Sequence, residues 1–137
     1  MSQFVVIGLG RFGSSIARAL SEKNFEVLAI DKEEAQVKAM EGVVSQAVVL
    51  NATDERSLRE LGIGEFETAI VSMGDTVEDS IMITLTLKEM GVRQVIVKAK
   101  SDLHARILKK VGADRIIFPE QEMADRLAEP DNHALYK

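Results

Sequence analysis

Short apolar runs alternate strictly with helix-period segments along this chain, and no other feature limits its fold as strongly. The runs fall at residues 4–7, 25–30, 47–50, 69–72, 95–98 and 115–118. Most are apolar throughout rather than alternating, which suits strands covered on both faces of a parallel sheet. Between them the spacing predicts helices at 11–23, 33–40, 54–61, 77–90 and 102–111, with a last helix starting near Glu120. In the first of these, Ile16, Ala19 and Leu20 share one face at three-to-four spacing. Thr76 with Asp79 has the form of a capping box, Ser101 can cap the helix after the fifth strand, and Gly91 and Gly112 follow helical segments. Strand–helix alternation of this kind predicts an α/β fold. Its sheet is parallel, six-stranded and doubly wound, with right-handed crossovers and strand order 3-2-1-4-5-6.

Composition bounds the function classes. The chain has 137 residues, 46% hydrophobic and 28% charged, enough for a core and a wetted surface. Seventeen basic residues against 22 acidic give a net charge of -5, a poor match for sequence-independent nucleic-acid binding. The absence of cysteine excludes disulfides, thiolate zinc sites and cysteine nucleophiles, and fits a reducing compartment. The N-terminus has no basic n-region, and no stretch approaches the ~20 apolar residues of a membrane span. The expectation is a cytoplasmic domain with no direct membrane insertion. It covers residues 1–128, and residues 129–137 form a tail, a linker or an appended remnant.

The chemistry concentrates in Gly8-Leu9-Gly10-Arg11-Phe12-Gly13, a GxGxxG pattern that follows an apolar strand and opens an amphipathic helix. In that context it is the phosphate-binding turn of a Rossmann-like fold. Gly8 permits the tight turn, Gly10 leaves room for a pyrophosphate, and Gly13 lets helix and strand approach. The amide groups that open the helix favour an anion. Arg11 adds a guanidinium that can bond phosphate oxygens in bidentate fashion, each charge-assisted bond contributing roughly 1.5–3 kcal/mol. Asp31 lies about 20 residues beyond the turn, where a carboxylate accepts from ribose hydroxyls and repels a 2′-phosphate. Its spacing to Glu34 also suits an N-cap. Lys32 beside it is either a ligand contact or a solvated neighbour. After the third strand, Asn51, Ala52, Thr53 and Asp54 stand where a base or ribose would lie, although Thr53 or Asp54 can equally cap the next helix. Gly74 would allow close backbone approach after the fourth strand, and Lys98 and Lys100 after the fifth can bring a cation to the phosphates or remain solvated.

These residues together resemble a known family. The turn GLGRFG, Asp31, the NATD segment at 51–54, Val97-Lys98-Ala99-Lys100 and the GADRIIFPE segment at 112–120 look like the N-terminal RCK domain (regulator of potassium conductance). The likeness is to regulatory subunits of Trk/Ktr-type potassium uptake systems, and it spans roughly residues 3–127. It implies a regulatory rather than catalytic role, with ATP, ADP, NAD or NADH bound in the Rossmann cleft. It implies pairing with itself as a dimer or an octameric ring, beneath an integral-membrane potassium transporter or channel. Arg11 would then contact terminal phosphates, and Glu120 would help bind Mg2+ or Ca2+ beside them. Pro119 before it also makes Glu120 a natural helix-start acid. Complete subunits of the family carry a second ligand-binding domain, for which 137 residues leave no room.

The competing reading is an NAD-dependent oxidoreductase, which needs a positioned acid or base. Tyr136 and His133 sit in the C-terminal tail, and His104 lies early in a predicted helix without an acidic partner nearby in sequence. That supply is thin for catalysis. A structural oligomerisation domain with a relic nucleotide site is the third reading, in which Met73, Met82, Met90 and Met123 either face a partner helix or fill core gaps.

Overall fold

The apolar runs form six parallel strands: β1 (Gln3–Ile7), β2 (Glu26–Asp31), β3 (Gln46–Val49), β4 (Thr68–Val71), β5 (Gln94–Lys98) and β6 (Arg115–Ile117). They pair in the order β3-β2-β1-β4-β5-β6, as the alternation predicts. The helices are α1 (Arg11–Glu22), α2 (Glu34–Met40), α3 (Glu55–Glu60), α4 (Val77–Glu89), α5 (Asp102–Val111) and α6 (Pro119–Ala128). The structure is a computed structural model and describes residues 2–73 and 76–130.

Strands with no polar alternation are explained by what covers them. Val5, Ile7, Leu28, Ile30, Ala69, Val71, Val95 and Val97 point to one face, against Leu58 of α3, Ile83 and Leu87 of α4 and Leu108 of α5. Val6, Val27, Ala29 and Ile70 point to the other, against Ala17 of α1 and Val37 and Met40 of α2. Each fully buried Val, Leu or Ile contributes about 1.5–3 kcal/mol relative to exposure. Helix α6 differs from the rest, because none of its residues is buried.

Helix starts follow the expected caps in part. Thr76 accepts from the Asp79 amide and Ser101 from the His104 amide. Gly91 and Gly112 follow α4 and α5 with positive φ. Asp54 is the N-cap of α3, its carboxylate accepting from the Ser57 amide. The suggested pairing of Asp31 with Glu34 is corrected. Glu33 stands at the N-cap of α2 without a side-chain cap bond, while Asp31 Oδ1 takes the Glu33 amide at 2.8 Å. A short 3-10 turn at Ile63–Glu65 precedes β4, and no periodicity announced it.

His104 is buried in the interface of α4 and α5, and its surroundings assign its tautomer. Nδ1 accepts from the Lys100 amide at 3.0 Å, so the proton sits on Nε2 and is donated to Ser80 Oγ at 2.7 Å. Ser80 in turn donates to the Val77 carbonyl. Burial, with the positive charge of Lys100 second, lowers the His104 pKa and keeps the ring neutral.

Candidate functional site

At the carboxyl edge of the sheet, α1 leaves β1 toward one face and α4 leaves β4 toward the other. The crevice between two such connections is where open α/β sheets hold ligands. Here it is a cleft of about 1130 Å³.

Its floor is the turn after β1, held from both sides. The Gly8 amide donates to the Ile30 carbonyl at 2.8 Å, and the Leu9 amide donates to Asp31 Oδ2 at 2.8 Å. On the far side the Ser72 amide donates to the Ile7 carbonyl at 2.8 Å. Backbone crowds two of the glycines. A Cβ on Gly8, whose φ is +95°, would lie 2.3 Å from the Ser72 carbonyl oxygen, and one on Gly13 would lie 1.8 Å from the Gly8 oxygen. No heavy atom would stand within 4 Å of a Cβ on Gly10. The turn thus packs tightly beneath and stays open above. Gly10 is the N-cap of α1 and offers no side-chain cap, so the first amides of α1 remain available to an anion.

Around that floor the cleft collects most of the residues singled out from sequence. Gly8, Gly10, Arg11 and Phe12 line it from the turn, Asp31 and Lys32 from the end of β2, and Asn51 and Ala52 from the end of β3. Lys98 comes from the end of β5 and Glu120 from the first turn of α6. Arg11 is exposed at the first position of α1, and its guanidinium bonds to none of the described residues. Gly13, Thr53 and Asp54 do not line the cleft. Gly13 lies beneath the turn, Asp54 is spent on capping α3, and Thr53 donates through its amide and hydroxyl to Asn51 Oδ1. That local turn takes up one oxygen of Asn51 and sets the direction of its amide. Gly74, His133 and Tyr136 lie outside the described residues.

Sequence reasoning missed several lining residues. Ser15 stands one helical turn after Arg11, and Gln36 one turn into α2. A helical face continued from Arg11 and from Glu33 would have found both. Met73, Phe118 and Met123 supply apolar wall. Met123 is 53% exposed and Met82 is 52% exposed, so neither fills a core gap. Met73 and Met90 are half-buried against the core. Among the described residues, no group of three His, Asp or Glu side chains could by itself hold a metal ion.

His104 does not reach the cleft. Both of its ring nitrogens are engaged, which makes it a packing residue of the α4–α5 interface.

Comparison with known proteins places this geometry. Residues 4–119 match the TrkA-N domain family. Ktr system potassium uptake protein C of Bacillus subtilis is 48% identical over 126 residues, a stretch covering 92% of this chain and 57% of that protein. The TrkA-N domain of the inner membrane protein ybaL from Escherichia coli superposes with a TM-score of 0.81 at 20% identity, over 93% of this chain and 96% of that one. The GsuK channel bound to NAD superposes with a TM-score of 0.74 at 19% identity, over 85% of this chain and 21% of that one. At those identities the likeness to the two solved structures concerns the fold.

Proposed function

The chain belongs to the TrkA-N domain family, and from that premise we propose that it is a nucleotide-sensing regulatory domain of a potassium uptake system. The observation that carries the reading is the cleft, where an open Gly10 turn, an Arg11 that bonds none of the described residues and the carboxylate of Asp31 converge at the switch point of the sheet. The relative in Bacillus subtilis is a potassium uptake protein by name, and this chain spans 57% of its length. The ligand is ATP or ADP, or NAD(H), the last supported by the NAD in the GsuK structure. In this assignment the α1 amides and Arg11 hold phosphate, Asp31 and Lys32 face the ribose, Asn51 and Ala52 border the base, and Lys98 adds positive charge. Gly13, Thr53 and Asp54 support the turns rather than the ligand.

A divalent cation beside Glu120 would need ligand oxygens as well as protein ones, since the described residues gather no three-carboxylate group there. Signalling requires that nucleotides differ in affinity for two arrangements of paired chains. Driving a population from 1:99 to 99:1 takes about 5.5 kcal/mol. Exposed Met123 and Leu127 on α6 support pairing of the chain with itself, and a membrane transporter or channel subunit is the further partner. The reading is non-enzymatic. What supports this is the Bacillus subtilis relative, a potassium uptake protein by name, together with the burial of His104 between α4 and α5, away from the cleft.

Thermal denaturation with ATP, ADP, AMP, NAD and NADH, each with and without Mg2+ or Ca2+, tests the proposal. A bound nucleotide at a hundred times its Kd should add about 2.7 kcal/mol. No shift with any of them overturns the reading. Arg11→Ala should weaken ATP about tenfold more than NADH, as loss of one charge-assisted phosphate contact would.

A further inference from the structure

We infer that Asp31 is a positioning residue for the phosphate turn and acts on phosphate groups that it does not touch. The inference rests on the nucleotide reading above. Both carboxylate oxygens are already in use: Oδ2 accepts from the Leu9 amide and Oδ1 from the Glu33 amide, each at 2.8 Å. Leu9 is the middle residue of Gly8-Leu9-Gly10, and its side chain is buried. The Gly8 amide is tied one residue earlier to the Ile30 carbonyl. The end of β2 therefore holds two consecutive amides of the turn. Ser72 and Gly13 press on the turn from beneath. With those amides turned toward β2, the free amides of Arg11 and Phe12 are left to face the open side at Gly10.

A carboxylate oxygen has two lone pairs. Asp31 can thus keep Leu9 and Glu33 while accepting from a ribose hydroxyl, and the two roles coexist. Removing the carboxylate separates them by sign. If Asp31 only contacted ribose, its loss would leave a ribose-free polyphosphate unaffected, or bound more tightly once a nearby negative charge is gone. If Asp31 positions the turn, the same loss weakens that polyphosphate.

The experiment compares this chain with its Asp31→Ala and Asp31→Asn variants. Affinity is read by calorimetry with inorganic tripolyphosphate and with ATP. Hydrogen exchange of the Leu9 amide is read by NMR without ligand, with the Val6 amide in the core as reference. Asp31→Ala should speed Leu9 exchange about tenfold, leave Val6 unchanged and weaken tripolyphosphate about tenfold, the scale of one lost charge-assisted bond. Asp31→Asn keeps one acceptor oxygen and should recover most of both effects. Unchanged Leu9 exchange overturns the inference, as does faster exchange at Leu9 and Val6 alike. A loss confined to ATP, with tripolyphosphate unchanged or tighter, overturns it too. If the unaltered chain binds neither ligand, the nucleotide reading falls, and Leu9 exchange alone then upholds or overturns the clamp.

Discussion

A methyl group added at residue 13 would meet the Gly8 carbonyl oxygen at 1.8 Å, backbone against backbone, with no flexible side chain to give way. Overpacking of this kind costs about 1–3 kcal/mol. Gly13→Ala should therefore lower the denaturation midpoint and weaken every phosphate ligand together, as read by chemical denaturation and titration. Gly10→Ala meets open space and should leave stability nearly unchanged while obstructing ligand. His104 makes a second residue-scale case. Replacing it with Ala removes the bonds its ring makes to the Lys100 amide and the Ser80 hydroxyl and leaves a void between α4 and α5, at about 2–3 kcal/mol. Its pH signature has a definite sign. The folded protein holds the imidazole pKa below the ordinary 6.5, so the unfolded chain takes up the proton first. Stability is whole above about pH 6.5 and falls as the pH drops below it. The slope in that window should be shallower in His104→Gln, measured by urea denaturation between pH 5 and 8.

Between elements, one polar staple joins three pieces of chain. Lys88 near the end of α4 donates to Asp114 Oδ2 at 2.8 Å and also bonds the Val92 and Arg93 carbonyls. Asp114, just before β6, takes the Val95 amide of β5 as well. Burial pushes the Asp114 carboxyl up, but the bonds from Lys88 and Val95 outweigh it and hold the group below its ordinary 3.8. This contribution is present above about pH 3.8 and is lost as the pH falls through the lower folded value. Partial exposure of both side chains screens the pair. Asp114→Asn should cost about 1–2 kcal/mol, a few degrees of Tm by calorimetry. The pairs Lys38 with Glu34, Arg56 with Glu60 and Arg59 with Glu55 are helix-face pairs spaced four apart and open to solvent, and each contributes little. Helix α6 stands apart again, with no buried residue to anchor it.

At the scale of the whole molecule, the sheet brings the ends of β1, β2, β3 and β5 to one edge, and the cleft exists only because all of its strands run parallel. Self-association should run through α6. Leu127→Asp, outside the cleft lining, should leave the thermal midpoint of a monomeric sample unchanged, because the residue is not buried. The same change should reduce association in sedimentation velocity with nucleotide present. Equal association in both proteins would remove α6 from the interface. The fold was legible from sequence at this scale because its pattern repeats: six apolar runs bounded by Gly, Asp and Ser punctuation leave few alternatives. The 3-10 turn at Ile63–Glu65 was not legible, since three residues carry no periodicity.

The candidate site was legible by residue type and less so by role. Sequence alone determined the strand order, the position of the glycine turn after β1 and the edge at which Arg11, Asp31, Asn51 and Lys98 gather, because these derive from local pattern and the handedness of crossovers. Tertiary structure alone decided what each polar group bonds. Asp54 is used as a helix cap, and Asn51 is partly taken by Thr53. His104 is closed off by Ser80 and Lys100. Asp31 reaches from the end of β2 to Leu9 after the neighbouring β1. The reason is physical: several amides and hydroxyls compete for each side chain, and packing decides which of them comes within about 3 Å, whether two residues away, as for Asn51 and Thr53, or on a neighbouring element, as for Asp31 with Leu9 and His104 with Ser80.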